Sequence, residues 1–94
     1  MICELDGRQI TDCCALHDLL AEKLEFPDYY GRNLDALYDL LTEIEGEIHV
    51  TYVTALETNL GAYGRGFLKV LEDAVQSNPA LSVQICENFC DNEK

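Results

Sequence analysis

The sequence predicts a small α/β domain, a three-stranded parallel sheet packed by about four helices. Three observations carry that expectation. Residues 2–5, 48–53 and 81–86 are short apolar or β-branched runs with the length and composition of strands. Between consecutive runs lie stretches whose apolar residues recur at helical spacing, and strands joined by helical crossovers pair in parallel through right-handed connections. A chain of 94 residues with 48% hydrophobic content can bury one core and no second one, so residues 1–94 are expected to form a single domain.

Taken in order, residues 2–5 close on Asp6-Gly7, a turn signal that leaves a hairpin tip open as an alternative. From Cys13 to Leu24 the positions Leu16, Leu19, Leu20 and Leu24 form an apolar stripe. Thr11 or Asp12 can cap that helix, and Pro27 ends the run by disfavouring helical geometry before it. Asp28-Tyr29-Tyr30-Gly31-Arg32 reads as a loop in which Gly31 is free to take a positive φ, with Tyr30 packing inward. Asn33 is a good N-cap for a helix over 34–43. Gly46 precedes the second strand, and Thr54-Ala55-Leu56-Glu57 matches a capping box opening a short helix that stops near Gly61. Gly64 and Gly66 punctuate the chain before a helix marked by Phe67, Leu68, Val70, Leu71, Ala74 and Val75. Asn78-Pro79 stops it ahead of the third strand. The tail 87–94 is polar, with Phe89 able to pin it.

Eighteen acids against six bases give a formal net charge of −12. Such a chain repels nucleic acid phosphates and anionic membranes and is drawn to basic surfaces. No apolar run approaches the ~20 residues that span a bilayer, and the first residues lack the basic start and apolar stretch of a signal peptide, so the expected location is the cytoplasm. The cysteines Cys3, Cys13, Cys14, Cys86 and Cys90 are odd in number and lack paired CxxC zinc spacing, which points to reduced thiols and no metal.

The acids are not evenly spread. On a wheel of about 100° per residue, Leu34, Leu37, Tyr38, Leu40, Leu41 and Ile44 share one face, while Asp35, Asp39 and Glu43 line the opposite side at i, i+4, i+8. Like charges at that spacing destabilise a helix by roughly 0.2–0.5 kcal/mol per pair. From Asp28 to Glu47 there are six acids and one base, Arg32, which can pair with Asp35 at i, i+3. The bland reading is a solvated face of an acidic protein. Tyr29 and Tyr30 just before the helix argue for more, because tyrosine is enriched at interface hot spots and an aromatic beside a carboxylate row suits a partner with a basic cleft.

The segment 26–42, with its string YYGxNLDALxDxLT, resembles the barstar family, intracellular inhibitors of the secreted ribonuclease barnase. The string is long and specific, and the element order fits that family from Ile2 to Cys86. The resemblance implies a three-stranded parallel sheet and an inhibitor that plugs a ribonuclease active site. By position it places Tyr29, Asn33, Asp35, Tyr38 and Asp39 on the contact surface, with Gly31 shaping the loop. Asp39 would be central, its carboxylate standing in for substrate phosphate, with Asp35 at the edge of the same cleft. Asp73 matches a further acid of the family's surface. Tyr38 stands where the best-known member has tryptophan, and Ile44 replaces another aromatic.

The expected partner is therefore a basic ribonuclease or related nuclease toxin, bound one-to-one by a monomer, with no direct contact to nucleic acid or membrane. The alternative is an immunity or regulatory protein that meets a different basic toxin or partner through the same face. An enzyme is disfavoured: a convex helix face offers no pocket, His17 falls on a core-side helix and His49 in a strand, and no P-loop, GxSxG or HExxH string occurs. Catalytic residues, cofactors and metal ligands are accordingly expected to be absent.

Overall fold

The computed structural model describes residues 2–87. Strands β1 (Ile2–Asp6), β2 (Gly46–Thr51) and β3 (Leu81–Ile85) pair in parallel in the order β1-β2-β3. Helices α1 (Cys13–Leu24) and α2 (Leu34–Leu41) connect the first two strands, and α3 (Val53–Leu60) and α4 (Ala62–Ser77) the last two. The architecture is the expected α/β one: a three-stranded parallel sheet with four helices.

Cys3, Leu5, Ile48, Val50 and Leu81 point into the core, whereas Ile2, Glu4, Glu47, Ser82 and Gln84 alternate with them on the exposed side. Period-two alternation thus puts one face of the sheet against the helices and leaves the other to solvent. Register places Ile48 between Cys3 and Val83, and Val50 between Leu5 and Ile85. Leu16 and Leu20 of α1, Leu37 and Leu41 of α2, Leu56 of α3, and Phe67 and Leu71 of α4 complete a continuous core.

Several local expectations are corrected. Asp6-Gly7 is no hairpin tip. It opens a 3-10 turn, Gly7–Gln9, in which the Asp6 carboxylate accepts from the Arg8 backbone N–H at 2.9 Å and pairs with its guanidinium at 2.8 Å. The second strand ends at Thr51, where its partner Asp6 ends β1, although the β-branched run continues to Val53. Tyr52 turns the chain in the left-handed region (φ 53°) with its ring under Arg8, the guanidinium carbon 3.7 Å from the ring centroid. Tyr52 therefore occupies the N-cap of α3 without a side-chain cap, and the capping box does not form: Thr54 donates instead to Glu87 at 2.5 Å.

Gly64 and Gly66 lie inside α4 rather than before it. A Cβ on Gly64 would stand 3.2 Å from Leu60 Cβ and from Leu56 Cδ2, and one on Gly66 would stand 3.1 Å from Leu34 Cδ1. These glycines are sites of close helix approach, and the break between α3 and α4 falls at Gly61 (φ 62°). Cys3, Cys13 and Cys14 are free thiols, but Cys86 is disulfide-bonded, against the expectation of reduced thiols throughout. Burial pushes the Cys3 thiol up, with smaller effects from Lys23 and Glu4. The remaining tail, with Phe89 and Cys90, lies outside the described residues. No helix among the described residues is long and apolar enough to cross a membrane.

Asn78 does more than stop α4. Its buried amide donates to the carbonyls of Leu41 (2.9 Å) and Ile44 (2.7 Å), while its oxygen accepts from the Ala80 N–H (3.0 Å). The end of α2 is thereby tied to the start of β3, and carbonyls that a helix end leaves unpartnered are satisfied. Asn78→Ala should lower stability by about 2 kcal/mol, because buried backbone groups lose their partners. A urea midpoint equal to that of the parent chain would contradict this role.

Candidate protein-binding site

Asn33 sets where the acidic helix begins. Its Oδ1 accepts from the Ala36 N–H at 2.8 Å, and its Nδ2 donates to the Gly31 carbonyl at 3.3 Å, so it acts as N-cap and loop brace together. At the other end Thr42 is the C-cap, its hydroxyl donating to the Asp39 carbonyl at 2.7 Å. The helix is therefore shorter than the wheel assumed. Glu43 falls in the turn beyond it, held by its N–H to Leu40 O at 3.0 Å, so the three-acid row is an Asp35–Asp39 pair with Glu43 past the helix end. The cap at Thr42 ends the helical geometry one residue before the acid that periodicity had placed on it.

Leu37 and Leu41 are buried, which turns Asp35 and Asp39 to solvent one helical turn apart. Two cross-contacts fix α2 on α4: Leu34 packs over Gly66, and the Tyr38 hydroxyl meets Ser77 Oγ at 2.8 Å. Between the helices runs an open groove of about 520 Å³ lined by Leu34, Asp35, Tyr38, Asp39, Val70, Asp73, Gln76 and Ser77. Asp73, 34 positions beyond Asp39, thus shares one cavity with the acids of α2. The surface here is a shallow groove and not the purely convex face expected.

The carboxylates in the groove are unevenly compensated. Asp73 pairs with Lys69 at 3.2 Å across one helical turn. Among the described residues neither Asp35 nor Asp39 forms an ion pair. Arg32, the one cation of the segment, turns away to Asp18 on α1 and not to Asp35. It does so from the left-handed region (φ 57°), which was expected at Gly31. Gly31 is required for a different reason: a Cβ there would stand 3.2 Å from Ala36 Cβ and 3.4 Å from Asn33 Nδ2.

Tyr29 and Tyr30 take opposite directions. Tyr29 is 83% exposed, whereas Tyr30 is 7% exposed and packs against Phe26 in a tilted ring pair with centroids 4.8 Å apart. A second, smaller depression of about 180 Å³ is lined by Tyr29, Tyr30, Gly31, Ala36, Asp39 and Leu40. Asp39 borders both cavities and so sits at the centre of the face. Asn33 and Glu43 line neither. Sequence reasoning missed Val70, Gln76 and Ser77, although Gln76 and Ser77 follow Asp73 by three and four positions and so share its helix face. It also missed Asp18, whose pairing with Arg32 depends on how α1 packs. His17 and His49 are remote from the groove: His17 lies between Tyr30 and Tyr63, and His49 bonds Glu47 on the sheet at 2.9 Å. Among the described residues no group of three or more His, Cys, Asp or Glu is placed to hold a metal ion.

What this arrangement can do is present carboxylates, in fixed positions around one concave strip, to cationic side chains, with an exposed aromatic at the rim. Comparison with known proteins places the chain in a family. The family model described as Barstar (barnase inhibitor) matches residues 1–86. The chain is also 43% identical, over 76 residues, to a Bacillus subtilis (strain 168) protein named "Putative ribonuclease inhibitor YrdF", covering 74% of this chain and 80% of that protein. The α/β fold is consistent with that match, and the chain belongs to the barstar family of barnase inhibitors.

Proposed function

We propose that this protein inhibits a basic, secreted-type ribonuclease by seating the groove between α2 and α4, together with the loop before α2, in the enzyme's active site. The observation that carries the reading is the grouping of Asp35, Asp39 and Asp73 around one open groove, with two of the three lacking any internal counter-charge among the described residues. A ribonuclease active site is built to hold phosphate with arginine, lysine and histidine. Asp39, common to both depressions, is the central phosphate mimic; Asp35 pairs at the edge, and Asp73 completes the far wall.

Tyr29 supplies a rigid aromatic contact at the rim, and Gly31 keeps the loop close to Ala36 so that a partner can reach Asp39. Tyr38 lines the groove and holds its width through Ser77, while Asn33 acts by capping the helix that carries both aspartates. Glu43, beyond the helix end, adds to the field that draws a cationic partner in and does not line the groove. The protein acts as a monomer in a one-to-one complex in the cytoplasm, protecting the cell that makes the nuclease or one exposed to it.

Fixing the carboxylates before encounter lowers the ordering cost of binding. The excess of negative charge steers association and makes it salt-sensitive. Truncating one member of a desolvated interfacial charge pair costs on the order of 2–5 kcal/mol; the barnase–barstar pair is itself the reference system for such coupling, so this magnitude belongs to the family and not to this chain alone.

Three outcomes are expected. With barnase as the probe, Asp39→Ala should raise the inhibition constant for RNA cleavage roughly 100-fold or more, and Asp35→Ala by a smaller factor; inhibition unchanged by both substitutions would sink the proposed face. The association rate of the parent chain should fall at least about 10-fold between roughly 0.05 and 0.5 M salt, and a salt-independent rate in stopped flow would exclude electrostatic steering. In the free protein Asp39→Ala should leave thermal stability unchanged or raise it by about 0.5 kcal/mol, since it removes a repulsive neighbour and a poor helix former. A marked fall in melting temperature would assign Asp39 to the fold.

A further inference from the structure

We propose that His17 is a positioning residue for the inhibitory face, holding the 27–33 loop in its binding shape by bridging the hydroxyls of Tyr30 and Tyr63. The inference rests on the reading of that loop as part of the inhibitory face. His17 is 2% exposed, and both of its ring nitrogens are engaged: Nδ1 with the Tyr30 hydroxyl at 2.5 Å and Nε2 with the Tyr63 hydroxyl at 2.7 Å. The imidazole thus joins three elements, its own α1, the loop and α4. Its ring also packs on both phenols, with centroids 5.6 Å and 6.0 Å away.

The consequence for the face follows from chain connectivity. Tyr30 is held from below by His17 and Phe26, and its N–H donates to the Pro27 carbonyl at 3.0 Å. Its two neighbours, Tyr29 and Gly31, line the depression that ends on Asp39. Arg32, one residue further, is drawn back to Asp18 on α1, next to His17 in sequence. The loop is therefore pinned to α1 at two points, and the exposed Tyr29 side chain projects from a backbone fixed on its inner side.

The pinning depends on protonation. In neutral imidazole one nitrogen donates and the other accepts, which two phenol hydroxyls can match with a single chain of hydrogen bonds. A second ring proton reverses one of those bonds and puts a charge inside the core. The groups that face His17 do not welcome that charge: Tyr30 and Arg32 come from the loop, Tyr63 from α4, and Cys13 and Asp18 from its own helix, with Asp18 already committed to Arg32. Burial, and secondarily Arg32, push the His17 pKa below its ordinary 6.5. Burial likewise pushes both phenols up, Tyr63 adding to the effect at Tyr30 and Cys13 to that at Tyr63. With the folded pKa below the unfolded one, the stabilisation by neutral His17 is complete above about pH 6.5 and is lost as pH falls from there towards the folded value.

The test compares the parent chain with His17→Gln and Tyr63→Phe. In the free protein at pH 7, amide exchange at residues 29–33 should speed up at least about 10-fold in His17→Gln, while that of Ile48 and Val50 in β2 stays within about threefold. Binding of barnase at pH 7 should weaken about 10-fold in His17→Gln and about threefold in Tyr63→Phe, which keeps the ring and the Tyr30 bond. The ratio of variant to parent dissociation constants should shrink once the pH falls below the folded-state pKa of His17, because the parent then loses the same bridge on protonation; the enzyme's own titration cancels in that ratio. Parent-like affinity and parent-like exchange at residues 29–33 in His17→Gln would overturn the proposal. So would exchange that speeds up equally in β2, since His17 would then hold the core at large. An Asp39→Ala variant with parent-like inhibition, alongside the expected exchange change in His17→Gln, would count against the face and leave the loop assignment standing.

Discussion

A helix of eight residues does not sustain itself in water, because the entropy of nucleation is recovered only over longer runs or by packing. α2 is such a helix, and it also carries two aspartates one turn apart that repel each other. Everything that makes the face depends on how that helix is held. Leu37 and Leu41 sink into the core, Leu34 sits over a bare glycine backbone, and Asn33 and Asn78 satisfy polar groups at its two ends. The repulsion between Asp35 and Asp39 is worth tenths of a kilocalorie, whereas burial of each leucine side chain is worth roughly 1.5–3 kcal/mol. Packing wins by a wide margin, and the carboxylates stay where that packing puts them.

The same arithmetic explains why the acids are free to serve a partner. A carboxylate that the fold needs is already engaged, as Asp6 is with Arg8 or Asp18 with Arg32. The two aspartates of α2 are exposed and have no such duty. Their neighbours enforce the arrangement: Arg32, the nearest cation in sequence, is led off to α1 by a left-handed backbone and an ion pair, so that the charged residues lining the groove are all aspartates, with Lys69 paired to one of them, Asp73. A conformation uncommon for a non-glycine residue is thereby associated with a clean charge pattern on the face.

Much of this was legible in the residues. The order of elements and their parallel pairing, the α1 stripe, the Asn33 cap and the solvent-facing Asp35 and Asp39 follow from periodicity, connection and capping rules, and Tyr30 packs inward as expected. What was not legible has a common cause, in that it was decided by a distant element. Gly64 and Gly66 look like breakers until α3 and α2 are seen pressed against them. The run through Val53 looks like one strand until β1 is found to end opposite Thr51. Glu43 looks helical until Thr42 caps the helix, and Asp73 joins Asp35 and Asp39 only through the docking of α2 on α4. Family resemblance pointed to that last pairing where local pattern could not.

The groove has two walls drawn from segments that lie more than thirty positions apart in the chain. Nothing that requires both walls can bind the unfolded protein, so occupancy shifts the folding equilibrium in favour of the folded state by RT ln(1 + [L]/Kd), about 2.7 kcal/mol at a hundredfold excess over Kd. Proteases that attack transiently opened chains sample the unfolded population, which shrinks by the same factor. A free copy is therefore the more perishable one and a complexed copy the more durable. If the groove binds its partner as proposed above, the lifetime of the pool is tied to how much of it is in use, a form of inventory control that needs no separate sensor.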